Sequence, residues 1–186
     1  MIDGMRLLLF ASLVLTGCGF LPISVSPVID AARSGDVTKI HELAANGANL
    51  DEPGGVNGWT PLMHAIHKNQ LPSVNTLLEL DADVNLPAGG TTPLIMAAGY
   101  GYTDIVEALL KAGANSRAIG RDGTNALEAA FGGSPDLDHF TVGHCQTATV
   151  ELLLRKDPGL KIPEESAAFK TAERAGCKDE IALLTQ

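Results

Sequence analysis

The sequence has few aromatic residues, few cysteines and no long hydrophobic run. Of its 186 residues, 4% are Phe, Trp or Tyr, and Trp59 is the single tryptophan. Three cysteines, Cys18, Cys145 and Cys177, are too few and too far apart for a disulfide scaffold or a four-ligand zinc site. Hydrophobic residues still make up 45% and charged residues 19%. This composition excludes a disordered chain and predicts one domain with a core of Leu, Ala, Ile and Val.

Basic residues are also scarce. There are 13 Lys and Arg residues against 22 Asp and Glu, which gives a formal net charge of -9. Neutralising the phosphates of a nucleic acid requires Lys and Arg, so the balance argues against a nucleic-acid partner.

The N-terminal apolar run is too short to cross a bilayer. Residues 7–15 are apolar or small and follow Met5 and Arg6, whereas a transmembrane helix needs about 20 such residues. We interpret residues 1–17 as a signal peptide with translation starting at Met1 or Met5, and the run as its hydrophobic region.

The run ends in a motif that resembles the bacterial lipobox, Leu15-Thr16-Gly17-Cys18. The resemblance implies lipidation of Cys18, a lipidated tether over residues 18–25 and, because residue 19 is Gly, the periplasmic side of the outer membrane. The alternative is an ordinary secretory signal that leaves a soluble periplasmic protein.

The rest of the chain repeats itself. Thr60-Pro61-Leu62 recurs 32 residues later as Thr92-Pro93-Leu94, and a degenerate third copy begins at Thr124 after another 32 residues. Three further blocks follow both copies in the same order: Ala65-Ile66 and Ala97-Ala98, then Leu77-Leu78 and Leu109-Leu110, then Asp81-Ala82-Asp83-Val84-Asn85 and Gly113-Ala114-Asn115. A fixed period of this length predicts a solenoid.

These blocks resemble the ankyrin repeat, which implies an all-α solenoid of about five helix-turn-helix repeats with short β-hairpin-like fingers. The repeat domain is expected over 26–186, with repeats at about 26–57, 58–89, 90–121, 122–163 and 164–186, the last a C-terminal cap. About ten extra residues enter the fourth repeat near 132–142, and long loops in compact folds are often functional.

Local signals agree with this repeat. Pro61 and Pro93 suit the first turn of a helix, and the preceding threonines are placed to cap it. Gly47 and Gly113 fall just past helix ends, where a left-handed residue is favoured, whereas Asp81 at the equivalent place tolerates that conformation less well. Segments 53–58, 86–90 and 119–123 are expected to form the fingers.

Partner contacts are expected at variable positions of the first helices and fingers, where aromatic, Arg, His and Met side chains mark recognition surfaces. Exposed His64 and His67, with Arg33 and Lys68, favour a partner with local acidic groups. The predicted contact residues are Arg33, Trp59, His64, His67, Lys68, Met96, Tyr100, Glu128 and Phe131.

Cys145 and Cys177 map to the turns between the two helices of neighbouring repeats. Helices pack about 8–10 Å apart, whereas a disulfide needs Cα atoms within about 7 Å, so bond formation requires a local shift. Both a disulfide and two unpaired, partly buried cysteines are compatible with the sequence.

The sequence therefore predicts a non-enzymatic, monomeric protein-interaction module in the periplasm, without cofactor, metal or catalytic residues and tethered to the membrane through Cys18. Narrower versions are an immunity or inhibitor protein for an envelope-acting toxin and an accessory factor for a periplasmic stress enzyme such as a catalase. A different class, a metal or haem binder, would use His64, His67, His139 and His144.

Overall fold

The computed structural model describes residues 26–133 and 141–184. Within these residues the regular secondary structure consists of ten short helices. In chain order they are α1 (Pro27–Ser34), α2 (Val37–Ala45), α3 (Pro61–His67), α4 (Leu71–Glu79), α5 (Pro93–Tyr100), α6 (Thr103–Lys111), α7 (Ala126–Gly132), α8 (Thr147–Lys156), α9 (Ala167–Ala175) and α10 (Lys178–Leu183).

The helices form two layers. Each odd-numbered helix packs on the next odd-numbered helix, from α1 to α9, and the even-numbered helices stack in the same way from α2 to α10. The two helices of each pair also pack on each other. Neighbouring pairs thus cover each other's apolar faces, as in a solenoid. The prediction of an all-α solenoid is confirmed, and the ten helices form five pairs.

The predicted helix starts of the second and third pairs are confirmed. The hydroxyl oxygens of Thr60 and Thr92 accept hydrogen bonds from the backbone N–H groups three residues later, each at 3.3 Å. Pro61 and Pro93 are the first residues of α3 and α5. The N–H of the first helical residue has no acceptor within the helix. Proline, which lacks this N–H, therefore loses no hydrogen bond there and favours the helix start.

The predicted start of the next copy at Thr124 is wrong by one residue. Asn125 is the N-cap of α7: its side chain accepts from the N–H of Glu128, and the Glu128 carboxylate accepts from the N–H of Asn125. This reciprocal capping box satisfies two amides at once. Asn125 therefore corresponds to Thr92, an interval of 33 residues rather than 32.

The core is built from small and branched side chains. Alanines at the helix contacts are inaccessible to solvent and let the two layers approach closely, while leucines of the even-numbered helices fill the space between pairs. Fully buried examples are Ala32, Ala65, Ala97, Ala98, Ala130, Leu77, Leu109 and Leu153.

A finger precedes each of α3, α5 and α7. Each finger is closed by one antiparallel β-bridge, and the backbone N–H of Arg121 donates to the Gly90 carbonyl at 2.8 Å, which ties the third finger to the second. The bridges are Gly54 with Trp59, Ala88 with Thr91, and Ile119 with Asn125.

In the loops that lead from the even-numbered helices to the fingers, polar side chains tie successive pairs together. Asp51 accepts from the N–H of Asp83, and Asn85 accepts from the N–H of Asn115. Arg117 then forms a two-pronged ion pair with Asp157, which holds the pKa of that carboxyl well below its usual range. These bonds fix the spacing of neighbouring pairs.

The connection between α7 and α8 is the longest between the two helices of a pair among the described residues, and residues 134–140 of this connection are outside the described residues. Its second half is anchored to the preceding pair. The Thr141 hydroxyl and the Gln146 side-chain amide both donate to the Gly99 carbonyl, at 2.6 and 3.0 Å.

Candidate functional site

The surface formed by the odd-numbered helices and the fingers, called the wall below, carries most of the predicted contact residues. Trp59 of the first finger lies over α3 and is half-buried. Its ring centroid is 5.7 Å from that of His64 and 5.0 Å from that of His67. Its indole also lies against Gly89 of the next finger, where a Cβ would come within 2.5 Å of Nε1. Trp59 therefore packs the wall together as well as lining it.

The expectation that His64 and His67 are exposed is wrong. Their relative exposures are 6% and 8%, because both rings pack against Trp59. His64 Nε2 also lies 3.1 Å from the Gly54 carbonyl oxygen, a bond that joins α3 to its own finger. These histidines are structural parts of the wall.

Burial lowers the pKa of His64. The bond to Gly54 and the charge of Asp30 oppose this shift, and the charges of Arg33 and Lys68 reinforce it. The neutral imidazole is therefore favoured, with Nε2–H donating to the carbonyl of Gly54.

Phe131 is a core residue, so its predicted place on the wall is wrong. It is 1% exposed. The 33-residue interval explains the difference: Phe131 corresponds to Ala98, which faces the core, and not to a variable position. Met96 and Tyr100 do line the wall but are each only 7% exposed.

Arg33 is exposed, and Lys68 is half-buried. Both act electrostatically on His64, so they belong to the α1–α3 end of the wall. Glu128 is half-buried and lies at the other end, on α7. The structure thus separates the predicted basic residues from Glu128 along the wall.

A cleft of about 890 Å³ opens in the wall over α5, α7 and α9. The tips of the second and third fingers form its upper edge, and side chains of the three helices form its floor. Residues that define it are Trp59, Met96, Gly99, Tyr100, Asp122, Glu128, Ala129 and Gly132.

Two exposed apolar residues of the fingers were not predicted as contacts. Val56 of the first finger is 89% exposed and Ile119 of the third finger is 67% exposed, the two large hydrophobic side chains most open to solvent among the described residues. The available signal was a branched apolar residue within a segment otherwise rich in Gly, Pro and polar residues. Large apolar side chains exposed on the fingers are available for contact with a partner.

The structure joins Cys145 and Cys177 in a disulfide, with Cα atoms 5.3 Å apart. The spacing of about 8–10 Å, from which a local shift was expected to be necessary for the disulfide, is the distance between the axes of packed helices. These two residues lie in the turns before α8 and α10, and the two turns lie closer to each other than the axes of packed helices do. Cys145 is exposed, whereas Cys177 is 3% exposed.

Glu180, on the last helix of the C-terminal cap, is inaccessible to solvent. Neither carboxyl oxygen has a hydrogen-bond partner among the described residues. Burial raises the pKa of Glu180 to about 7, and the backbone amide of Gln146 at the start of α8 opposes that rise only in part. The protonated carboxyl is thus favoured below neutral pH.

Two family models match this chain, both described as ankyrin repeats. One, of three copies, matches residues 13–88, and the other, of many copies, matches residues 77–130. Together they span the first three helix pairs and reach into α7. The chain belongs to the ankyrin-repeat family.

Similar ankyrin-repeat proteins come from animals and fungi. The Caenorhabditis elegans ankyrin repeat and KH domain-containing protein mask-1 is 32% identical over 83% of this chain and 6% of its own length. The mouse ankyrin repeat and SOCS box protein 9 is 35% identical over 62% of this chain and 39% of its own. The palmitoyltransferase AKR1 of Lachancea kluyveri is 34% identical over 56% of this chain and 15% of its own.

The chain spans less than half the length of each of these relatives. One is named as an enzyme, so its activity is a property of that whole protein. Ankyrin repeats are generally protein–protein interaction modules.

Residues 26–133 and 141–184 contain no group of three or more His, Cys, Asp or Glu side chains placed to hold a metal ion. Within the same ranges no helix is long and apolar enough to cross a membrane. Cys18, the signal segment and His139 lie outside the described residues.

Proposed function

We propose that this ankyrin-repeat protein is a non-enzymatic interaction module on the periplasmic side of the bacterial outer membrane, where it binds a partner protein through the wall. The observation that carries the interaction role is the exposure of Val56 and Ile119 on the fingers that border the cleft. Exposed apolar side chains on these fingers provide apolar area that can be buried when a partner binds.

Export and tethering rest on the N-terminal sequence. The apolar residues 7–15 followed by Leu15-Thr16-Gly17-Cys18 resemble a lipoprotein signal. The disulfide between Cys145 and Cys177 supports an oxidising compartment, because cytosolic thiols are generally kept reduced.

Capture of a partner from bacterial envelopes tests the interaction role. The full chain carrying Val56→Asp and Ile119→Asp is compared with the wild type and with a matched control, Asn75→Asp and Ala148→Asp, which places two charges on exposed residues of the even-numbered helices. We expect the variant with Val56→Asp and Ile119→Asp to lose the partner and the control variant to keep it. Equal capture by both variants contradicts binding through the fingers.

The tether is tested separately by palmitate labelling in a bacterial host. We expect label and membrane association in the wild type and loss of both in Cys18→Ala. Labelling that survives this substitution contradicts a lipid on Cys18.

The identity of the captured protein distinguishes the narrower roles. A toxin or hydrolase that acts on the envelope supports an immunity or inhibitor protein, and a peroxide-removing enzyme supports an accessory factor in stress protection.

A further inference from the structure

We propose that the cleft is a docking site for an extended segment of a partner protein, and that a lysine or arginine side chain of this segment enters it. The proposal rests on the proposed interaction function and adds the chemistry of the partner.

The cleft exists because two repeats lack a side chain that an earlier repeat has. His67 of α3 packs on Trp59, but the corresponding positions of α5 and α7 are Gly99 and Gly132, given the 32- and 33-residue intervals. By the same 33-residue interval, Ala129 of α7 occupies the position that Met96 has on α5, so a second long side chain is missing there. The wall is therefore filled beside α3 and hollow over α5, α7 and α9, which leaves room for one long side chain from outside.

The side of the cleft nearest α3 is lined by aromatic rings and a methionine thioether. Trp59, Met96 and Tyr100 line it, and the rings of His67 and Tyr100 are 6.0 Å apart, so the aromatic row continues from α3 into the cleft. Aromatic faces attract ammonium and guanidinium groups, and they pack against the aliphatic stems of the same side chains.

Among the described residues that line the cleft, the side chains that carry a charge at neutral pH are Asp122 and Glu128, both acidic. Each uses one oxygen locally: Asp122 Oδ1 accepts from the N–H of Thr124, and Glu128 Oε2 accepts from the N–H of Asn125. The second oxygens, Oδ2 and Oε1, have no hydrogen-bond partner within residues 26–133 and 141–184 and are available to a ligand donor. Carboxylates in a cleft that is also lined by aromatic rings favour a cation over an anion or a neutral side chain.

The charge along the wall gives the docked segment a direction. Arg33 lies at the α1–α3 end, where its charge disfavours a second cation. The basic side chain is therefore expected over α5–α9, and acidic groups of the partner, if present, beside α1–α3. The net charge of -9 also attracts a basic segment over longer distances.

The test selects short random peptides displayed on phage against the immobilised full chain. We expect the selected peptides to be enriched in Lys or Arg. Their affinity is then measured for the double variant Asp122→Asn and Glu128→Gln, in which the amides preserve the local acceptor oxygens and remove only the negative charges. We expect about tenfold weaker binding, as for two partly exposed ion pairs.

The matched control is Glu79→Gln with Asp104→Asn, which removes the same charge from exposed residues on α4 and α6 and is expected to leave affinity unchanged. A third variant, Ala129→Met, fills the cleft with the side chain that the preceding repeat carries at this position, and is expected to abolish peptide binding. Thermal unfolding monitored by circular dichroism verifies that each variant is folded.

Three results overturn the proposal: selection of acidic or purely apolar peptides, equal affinity for the cleft and control variants, or no peptide selected above background. The envelope capture with Val56→Asp and Ile119→Asp is independent of this outcome. A captured partner that binds the Asp122 and Glu128 variant as strongly as the wild type overturns the docking proposal and leaves the interaction role intact.

Discussion

At the scale of single residues, Asp81 carries a backbone conformation that suits glycine. Its φ is 62°, in the left-handed region, and the equivalent Gly47 and Gly113 have φ of 81° and 91°. A side chain with a Cβ is strained there, whereas glycine is not. The sequence alone identified this position, because the helix-end glycine is missing from an otherwise regular repeat.

We therefore expect Asp81→Gly to raise the free energy of unfolding by about 0.5–1 kcal/mol. The reciprocal change Gly113→Asp is the control and is expected to lower it, although no atom lies within 4 Å of an added Cβ. Urea denaturation measures both, and a destabilised Asp81→Gly variant contradicts the strain argument.

Glu180 makes the stability of the folded protein depend on pH. Burial raises the pKa of this carboxyl from 4.5 to about 7, so the native state holds more protons than the unfolded state between these values. Stability therefore falls as pH rises through this window and levels off above pH 7.

Glu180→Gln, which resembles the protonated acid, is expected to remove this loss and to be more stable than the wild type at pH 8 by about 1–2 kcal/mol. At pH 4 the two proteins should be similar. Exposed Glu79→Gln serves as the control, and the measurement is the midpoint of thermal unfolding across pH 4–8. Parallel curves for wild type and Glu180→Gln contradict a buried, protonated Glu180.

At the scale of elements, the start of α7 tests the shifted repeat interval. Asn125 and Glu128 form a capping box, and Thr124, which the 32-residue spacing selected, is not the N-cap. The sequence placed α3 and α5 correctly because Thr-Pro is a strong local signal. It misplaced α7 because the connection from α6 to α7 is one residue longer than that from α4 to α5, and because no proline marks the helix start.

Asn125→Ala is expected to destabilise the protein by about 1 kcal/mol. Thr124→Ala, its neighbour in sequence, should change stability by less than about 0.5 kcal/mol. Chemical denaturation of the two variants compares them directly, and the reverse ranking would restore the 32-residue interval.

At the scale of the whole molecule, the disulfide secures the last helix pair. An end pair of a solenoid has a neighbour on one side only and is held less strongly than an internal pair. The bond between Cys145 and Cys177 closes a separation of 32 residues and links the turn before α8 to the turn before α10. It restricts the separation of the cap from the rest of the stack.

Cys145→Ser with Cys177→Ser is expected to cost about 2–4 kcal/mol. The loss should be local, so hydrogen exchange should quicken at α9 and α10 and change little at α3 and α5. Reduced wild-type protein is the control and should match the variant. Identical exchange in oxidised wild type and variant contradicts a stabilising disulfide.

The sequence by itself determined the repeat, the caps of α3 and α5 and the left-handed helix ends. Each depends on a few neighbouring residues, such as Thr60 with Pro61. Only the tertiary structure decided the burial of His64, His67 and Glu180, the closeness of the two cysteines and the hollow over Gly99 and Gly132. These features depend on how Trp59, the fingers and successive helix pairs pack on one another, and a one-residue change of register moved Phe131 from the wall into the core.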